Sequence, residues 1–296
     1  MSSALFGQRP LTGGYPGAFT RIGSNARDVA LGSALAADIN SGFLAVTNPA
    51  SVVYHRRREI GISYLYLPLD RSVQTLNFTI ALPPTAAASL SYIRAGDNNI
   101  IGRNSIGEKT GKVAYSEQAI GLTFSNRLTR HISFGLTAKV LLQTLDMFSS
   151  QGFGIDVGLL YRRPSGLSAA VRLENVTGAY LWRIEEAQEN REYSERLPRL
   201  LSGALRIPWW HFVLYAQVDG FFPEEGGVVN IYRLGIEDKI GEKLFIRGGM
   251  NHLTPTAGAG LIFSLREDND SSVDYSLSLG RSGEGLGHIF SWVFSL

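Results

Sequence analysis

From Glu59 to the end of the chain, apolar and polar residues alternate in runs of about ten, and the charges fall on the face that carries glycine and serine. Successive side chains of a strand point to opposite faces, so this period of two marks a chain of strands. Between Ile132 and Leu142 one face carries Ile132, Phe134, Leu136, Ala138, Val140 and Leu142, and the other Ser133, Gly135, Thr137 and Lys139. Lys139, Asp156, Arg172, Glu174, Arg206, Arg233, Glu237, Arg247, Arg266 and Asp274 all occupy the glycine and serine face of their segments. A soluble sandwich also alternates, but its apolar faces would have to meet in one core. About fourteen such segments follow one another without amphipathic helices to cover them, whereas open twisted sheets seldom exceed about ten strands before curling or splitting. Closing the sheet removes its edges. A closed sheet with apolar residues outside and ions inside has the pattern of a membrane-spanning barrel.

The expectation is therefore an all-β fold: a transmembrane antiparallel β-barrel of about 14 strands over residues 59–296, with residues 1–58 as an N-terminal plug segment containing a short helix. The connections support the strand count. Long ones, 96–112, 178–198 and 220–227, follow odd strands, and short ones such as the prolines at 83 and the Pro208 turn follow even strands. This is the asymmetry of a barrel with both chain ends on its short-turn side. The last run, Gly287 to Leu296, alternates Phe290, Trp292, Phe294 and Leu296 with Ile289, Ser291, Val293 and Ser295, and is similar to the C-terminal insertion signal of outer-membrane barrels.

Composition narrows the function. Apolar residues make up 44% and charged residues 18%, and the net charge of +2 is scattered, which leaves no footprint for nucleic acid. With no cysteine there is no disulfide framework and no thiolate metal site. His55, His131, His211, His252 and His288 have no second ligand at metal spacing, and neither a nucleophile elbow nor a phosphate loop is present. The reading is a non-enzymatic protein with no cofactor and no metal. No run of apolar residues reaches the roughly 18 that a spanning helix needs. The first residues lack a basic start and apolar core, so the chain is read as a mature form whose signal peptide has been removed, in the outer membrane of a Gram-negative bacterium.

A barrel of about fourteen strands is too wide for wall side chains to fill, so the first 58 residues should obstruct it. Ala26, Val29, Ala30, Ser33, Ala34 and Ala37 recur at helical spacing, and Asn48-Pro49 marks a turn. The pattern Ala26-Arg27, Ala30-Leu31-Gly32, Ala34, Ala36-Ala37-Asp38, then Asn48-Pro49-Ala50, resembles the N-terminal signature of the PorV/PorQ family of outer-membrane proteins. That signature in turn is similar to the N-terminal region of long-chain fatty-acid transporters of the FadL type. The resemblance implies a plugged fourteen-stranded barrel, with Arg27, Leu31, Gly32, Asp38, Asn48, Pro49 and Ala50 as the plug motif. It also implies a role in a type IX secretion-like pathway, in which such barrels hold secreted cargo or scaffold the protein partners of a surface-anchoring complex.

Two connections carry aromatic residues suited to a partner surface: Leu181, Trp182 and Ile184 in 178–198, and Phe221 and Phe222 in 220–227. These are the candidate partner-binding residues, and outer-membrane lipid is the other partner. Two alternatives stay open. A FadL-like transporter of long-chain fatty acids or other hydrophobic small molecules needs an apolar pocket and a lateral opening, and a diffusion porin needs an open lumen. The basic run His55-Arg56-Arg57-Arg58 is read as a solvated rim.

Overall fold

The computed structural model describes residues 13–55, 57–146, 148–186, 189–266, 269–279 and 285–296. Sixteen strand segments form one closed antiparallel sheet: β1 (Glu59–Tyr66), β2 (Ser72–Leu82), β3 (Ala86–Arg103), β4 (Lys109–Arg127), β5 (Ile132–Leu145), β6 (Phe148–Arg162), β7 (Ser168–Glu174), β8 (Gly178–Glu186), β9 (Glu189–Arg196), β10 (Arg199–Trp209), β11 (Phe212–Phe222), β12 (Val229–Ile240), β13 (Leu244–Asn251), β14 (Thr254–Arg266), β15 (Asn269–Leu279) and β16 (Leu286–Ser295). The wall has fourteen positions, because β7 and β8 share one and β9 and β10 share the next. β16 closes the ring on β1 from Glu59↔Ser295 to Tyr66↔His288.

The alternation reads directly onto the two faces. Phe134, Leu136 and Val140 of β5 are exposed on the outside, while Ser133, Thr137 and Lys139 are buried inside. Eight of the inward charges expected from the sequence are buried, namely Lys139, Arg172, Glu174, Arg206, Arg233, Glu237, Arg247 and Asp274. Asp156 is half-buried, and the side chain of Arg266 lies outside the described residues. Trp209 and Trp210, their rings stacked 6.4 Å apart, project from the β10–β11 turn, where an interfacial aromatic belt is expected. Since Leu122 faces outward near mid-wall, Leu122→Arg should cost about 2–4 kcal/mol of barrel stability, measured by urea unfolding in lipid. No loss would show that this face does not meet lipid.

Three elements differ from the expectation. The connection 96–112 is mostly strand, since β3 and β4 stay paired to Gly102↔Gly111. Segment 178–198 likewise forms the β8–β9 hairpin. Both continue the wall as paired strands where connections were expected. The helix is also shorter than the alanine spacing indicates: α1 spans Ala26–Ala30, N-capped by Asn25, and ends because Gly32 (φ 65°) and Ser33 (φ 57°) turn left-handed.

The segment before β1 runs through the lumen from the hairpin end to the short-turn end. A 3-10 turn (Ala18–Arg21) lies by the hairpins, α1 lies at mid-height, α2 (Leu44–Thr47) follows, and a second 3-10 turn (Pro49–Tyr54) lies by the short turns. The first described residues are therefore at the hairpin end, and the N-terminus itself lies outside the described residues.

Candidate functional site

The plug is irregular, so its backbone groups need partners inside a barrel that provides no ladder for them. The inner wall supplies them with side chains. Ser291 Oγ accepts from the Ala26 amide at 2.7 Å, and Gln217 Oε1 accepts from that of Ala36 at 3.0 Å. Ser168 donates to the Ala37 carbonyl at 2.6 Å, Asn77 to Gly42 at 2.8 Å, and Ser133 to Ala50 at 2.7 Å. The small polar residues that alternate along the strands thus act as a fitted lining.

The plug motif meets the wall at two cradles. At the first, Leu31-Gly32 lies against Gly235 and Gly249. A Cβ on Gly249 would stand 2.7 Å from the Ala30 carbonyl oxygen, and one on Gly235 would stand 2.6 Å from that of Leu31. At the second, Asn48-Pro49-Ala50 lies against Gly135 and Gly158, where an added Cβ would strike the Pro49 carbonyl and the Asn48 side chain. Asn48 caps the turn after it by accepting from the Ala50 amide at 3.0 Å, and it donates to the Ala36 carbonyl at 2.6 Å. Pro49 takes the first helical position, where its missing amide costs nothing.

Between the cradles, Arg27 donates from Nε to Glu237 at 2.8 Å, from Nη1 to Asp38 at 2.5 Å and from Nη2 to Tyr215 Oη at 2.9 Å. Arg247 joins Glu237 to Asp274 with two 2.6 Å contacts, and Arg206 stands 3.6 Å from Asp38. Three guanidinium groups and three carboxylates therefore compensate one another, which lets them stay buried as ions. A second pair, Arg233 with Asp219 at 2.9 Å, also holds the Ser33 carbonyl at 3.0 Å.

The hairpin half of the lumen has different chemistry. Phe19 packs there with Leu65, Val73, Ile93, Leu141, Tyr180, Leu197 and Ile289, all buried. Sequence reasoning, attending to the charges, did not separate this apolar half from the ionic one.

Beside that half the regular pairing of the wall breaks, although Ile155 keeps backbone hydrogen bonds to Val176 and Thr177, and Leu197 keeps one to Gly178. Asn175 follows β7 with φ 52°, and its amide is taken by Asp156 at 2.8 Å. β6 leaves β7 at Val157↔Leu173 and resumes with β8 at Gly154↔Gly178, a bulge of two residues. Leu197-Pro198 breaks the neighbouring strand at the same level, and Asn175 Nδ2 donates to the Pro198 carbonyl at 2.8 Å. Outside the break lies a notch of about 600 Å³, lined by lipid-facing Val140, Phe153 and Leu181 and by Asn175, Thr177 and Leu197. Asn175 and Leu197 were not singled out in the sequence. Pro198 and the turn residues Asn175 to Gly178, inside alternating runs, were the available signal.

The candidate partner residues are not brought together as one outer surface. Phe221 is fully buried, 5.1 Å from the Tyr15 ring with the Arg21 guanidinium over it, and so is not on the outer surface. Trp182 is half-buried against the apolar cluster and donates to Glu195 at 3.1 Å. Leu181 (59% exposed) and Phe222 (41%) face outward, and the side chain of Ile184 lies outside the described residues. Among the described residues no group of His, Asp or Glu forms a metal site.

These features define a plugged membrane-spanning β-barrel. No family model and no curated protein sequence matches the chain. Solved structures do. The chain superimposes on the Ralstonia pickettii toluene transporter TbuX with a TM-score of 0.64 at 12% identity, covering 93% of this chain and 98% of that one. Against the Pseudomonas putida toluene transporter TodX the values are 0.62 and 13%, with 92% and 97% covered. A Pseudomonas aeruginosa FadL homologue gives 0.60 and 10%, with 92% and 97% covered. The fold is thus that of these solved barrels, a FadL homologue among them.

Proposed function

We propose that the protein is an outer-membrane transporter of a hydrophobic small molecule in a Gram-negative bacterium, and that the solute crosses between lumen and membrane through the β7–β10 break. The observation that carries this is the position of Leu197, which lines the notch on the lipid side and belongs to the apolar cluster on the lumen side. The apolar cluster of the lumen and the lipid-side notch are there separated by one layer of side chains. That solved barrels of the same fold are toluene transporters supports the reading. The obstructed ionic half argues against an open diffusion pore.

Cells producing the protein should accumulate labelled toluene faster than cells without it. Leu197→Trp, which thickens the partition, should lower the rate severalfold without reducing the amount of folded barrel. Equal accumulation with and without the protein overturns the reading.

The type IX secretion-like scaffold of PorV/PorQ type is the second reading. It is supported by the resemblance over Ala26 to Ala50 and by the outward placement of Leu181 and Phe222. Partner proteins that co-purify in mild detergent, and are lost on Leu181→Glu with Phe222→Glu while insertion is unchanged, would favour it.

A further inference from the structure

Below the central ion cluster, the short-turn end of the lumen widens into a vestibule of about 790 Å³, separate from the apolar half where transport is proposed. Its carboxylates are already engaged: Glu237 and Asp274 hold Arg27 and Arg247, Glu59 faces His55 Nδ1 at 3.1 Å, and Asp270 accepts from Ser264 at 2.9 Å. Two of its donors are not: Tyr54 Oη and Arg162 Nε are buried without a hydrogen-bond partner. Arg206, 7% exposed, has Asp38 no nearer than 3.6 Å from its Nε.

These groups cluster. The Arg162 guanidinium lies over the Tyr54 ring, 5.1 Å from its centroid, and that of Arg127 approaches the same ring at 5.7 Å. Arg206 anchors one Nη on the Gly166 carbonyl in the turn that follows Arg162's strand, at 2.6 Å. Among the described residues Arg162 pairs with no carboxylate. Buried donors ordinarily have acceptors, and guanidinium groups are shaped for the paired oxygens of a carboxylate or phosphate.

We propose that this vestibule binds a small water-soluble oxyanion, a phosphate or carboxylate in class, entering from the short-turn end and held by Arg162, Arg206 and Tyr54. Lipid headgroups are excluded as its source because the wall stands between the bilayer and these side chains. Transport through the β7–β10 break can fail without affecting this site, and the reverse also holds.

Inorganic phosphate titrated into the full-length barrel in detergent, with ionic strength held constant by sodium chloride, should raise the unfolding midpoint saturably. Arg162→Gln should weaken the apparent affinity about tenfold, which is the loss of one charge-assisted hydrogen bond. Tyr54→Phe should weaken it severalfold, and Arg199→Gln, on the outer face, should leave it unchanged. The site is overturned by the absence of a saturable rise in the wild type, or by wild-type affinity in a folded Arg162→Gln barrel. Should Arg162→Gln not insert, wild-type affinity in Tyr54→Phe is the overturning result.

Discussion

Glu237→Ala is expected to destabilise the barrel by about 3–5 kcal/mol, the cost of leaving buried charge uncompensated. Glu237 is the shared acceptor of Arg27 on the plug and Arg247 on β13, so its loss leaves two guanidinium groups facing each other in the lumen. Arg27 would keep Asp38 and Tyr215, and Arg247 would keep Asp274, but the net charge of the cluster rises by one. Glu237→Gln, which retains an acceptor oxygen but not the charge, should lose part of that amount. The measurement is reversible urea unfolding in detergent, followed by near-ultraviolet circular dichroism. A change below about 1 kcal/mol, the size seen for solvent-exposed pairs, would mean that water screens the cluster and that the plug is held by other contacts.

The second large effect concerns shape. Gly249→Val should lift the Leu31-Gly32 turn off the wall, because the new side chain would meet backbone atoms of Ala30 and Leu31 that no rotamer change can move. Overpacking of this kind costs about 1–3 kcal/mol when the surroundings can adjust. Here the plug can adjust by leaving, so the signature is exposure more than unfolding. Arg27, buried in the wild type, should become a trypsin site in a barrel whose strands stay protected. Gly203→Val is the control, since nothing lies within 4 Å of the Cβ it would add. Equal protection of Arg27 in Gly249→Val and in the control would show that the plug does not depend on this contact.

The wall was legible because membrane and lumen impose opposite demands on successive residues, and Ile132 to Leu142 records both. What the alternation could not record was where the inner face changes character. Leu65, Ile93 and Leu141 face the lumen, as Lys139 and Arg172 do, and only their height along the barrel sorts them into an apolar and an ionic half. The break was misread for a related reason. Asn175 to Gly178 and Leu197-Pro198 carry turn residues, and a turn and a bulge draw on the same ones, so the segment between them looked like a loop.

Phe221 shows the limit from the other side. It sits next to Phe222 in a proline-terminated connection, yet the strand pleat sends one ring into the lumen and the other to the outside. The plug was legible as a motif but not as a path. Asn48-Pro49 announces its own turn, because the cap is local, whereas the glycines that receive it are some 90 to 110 positions away on β5 and β6. Helical alanine spacing overestimated α1, since Gly32 and Ser33 follow the wall they rest on.

The account depends on the wall being inverted, apolar toward lipid and ionic toward an occupied lumen. The chain has no cysteine, so single cysteines placed in turn along Ile132 to Leu142 and labelled with a fluorophore can report each side separately. In bilayers containing brominated lipid, quenching should alternate, strong at 134, 136, 138 and 140 and weak at 133, 135, 137 and 139. Uniform quenching, or the reverse alternation, would contradict it.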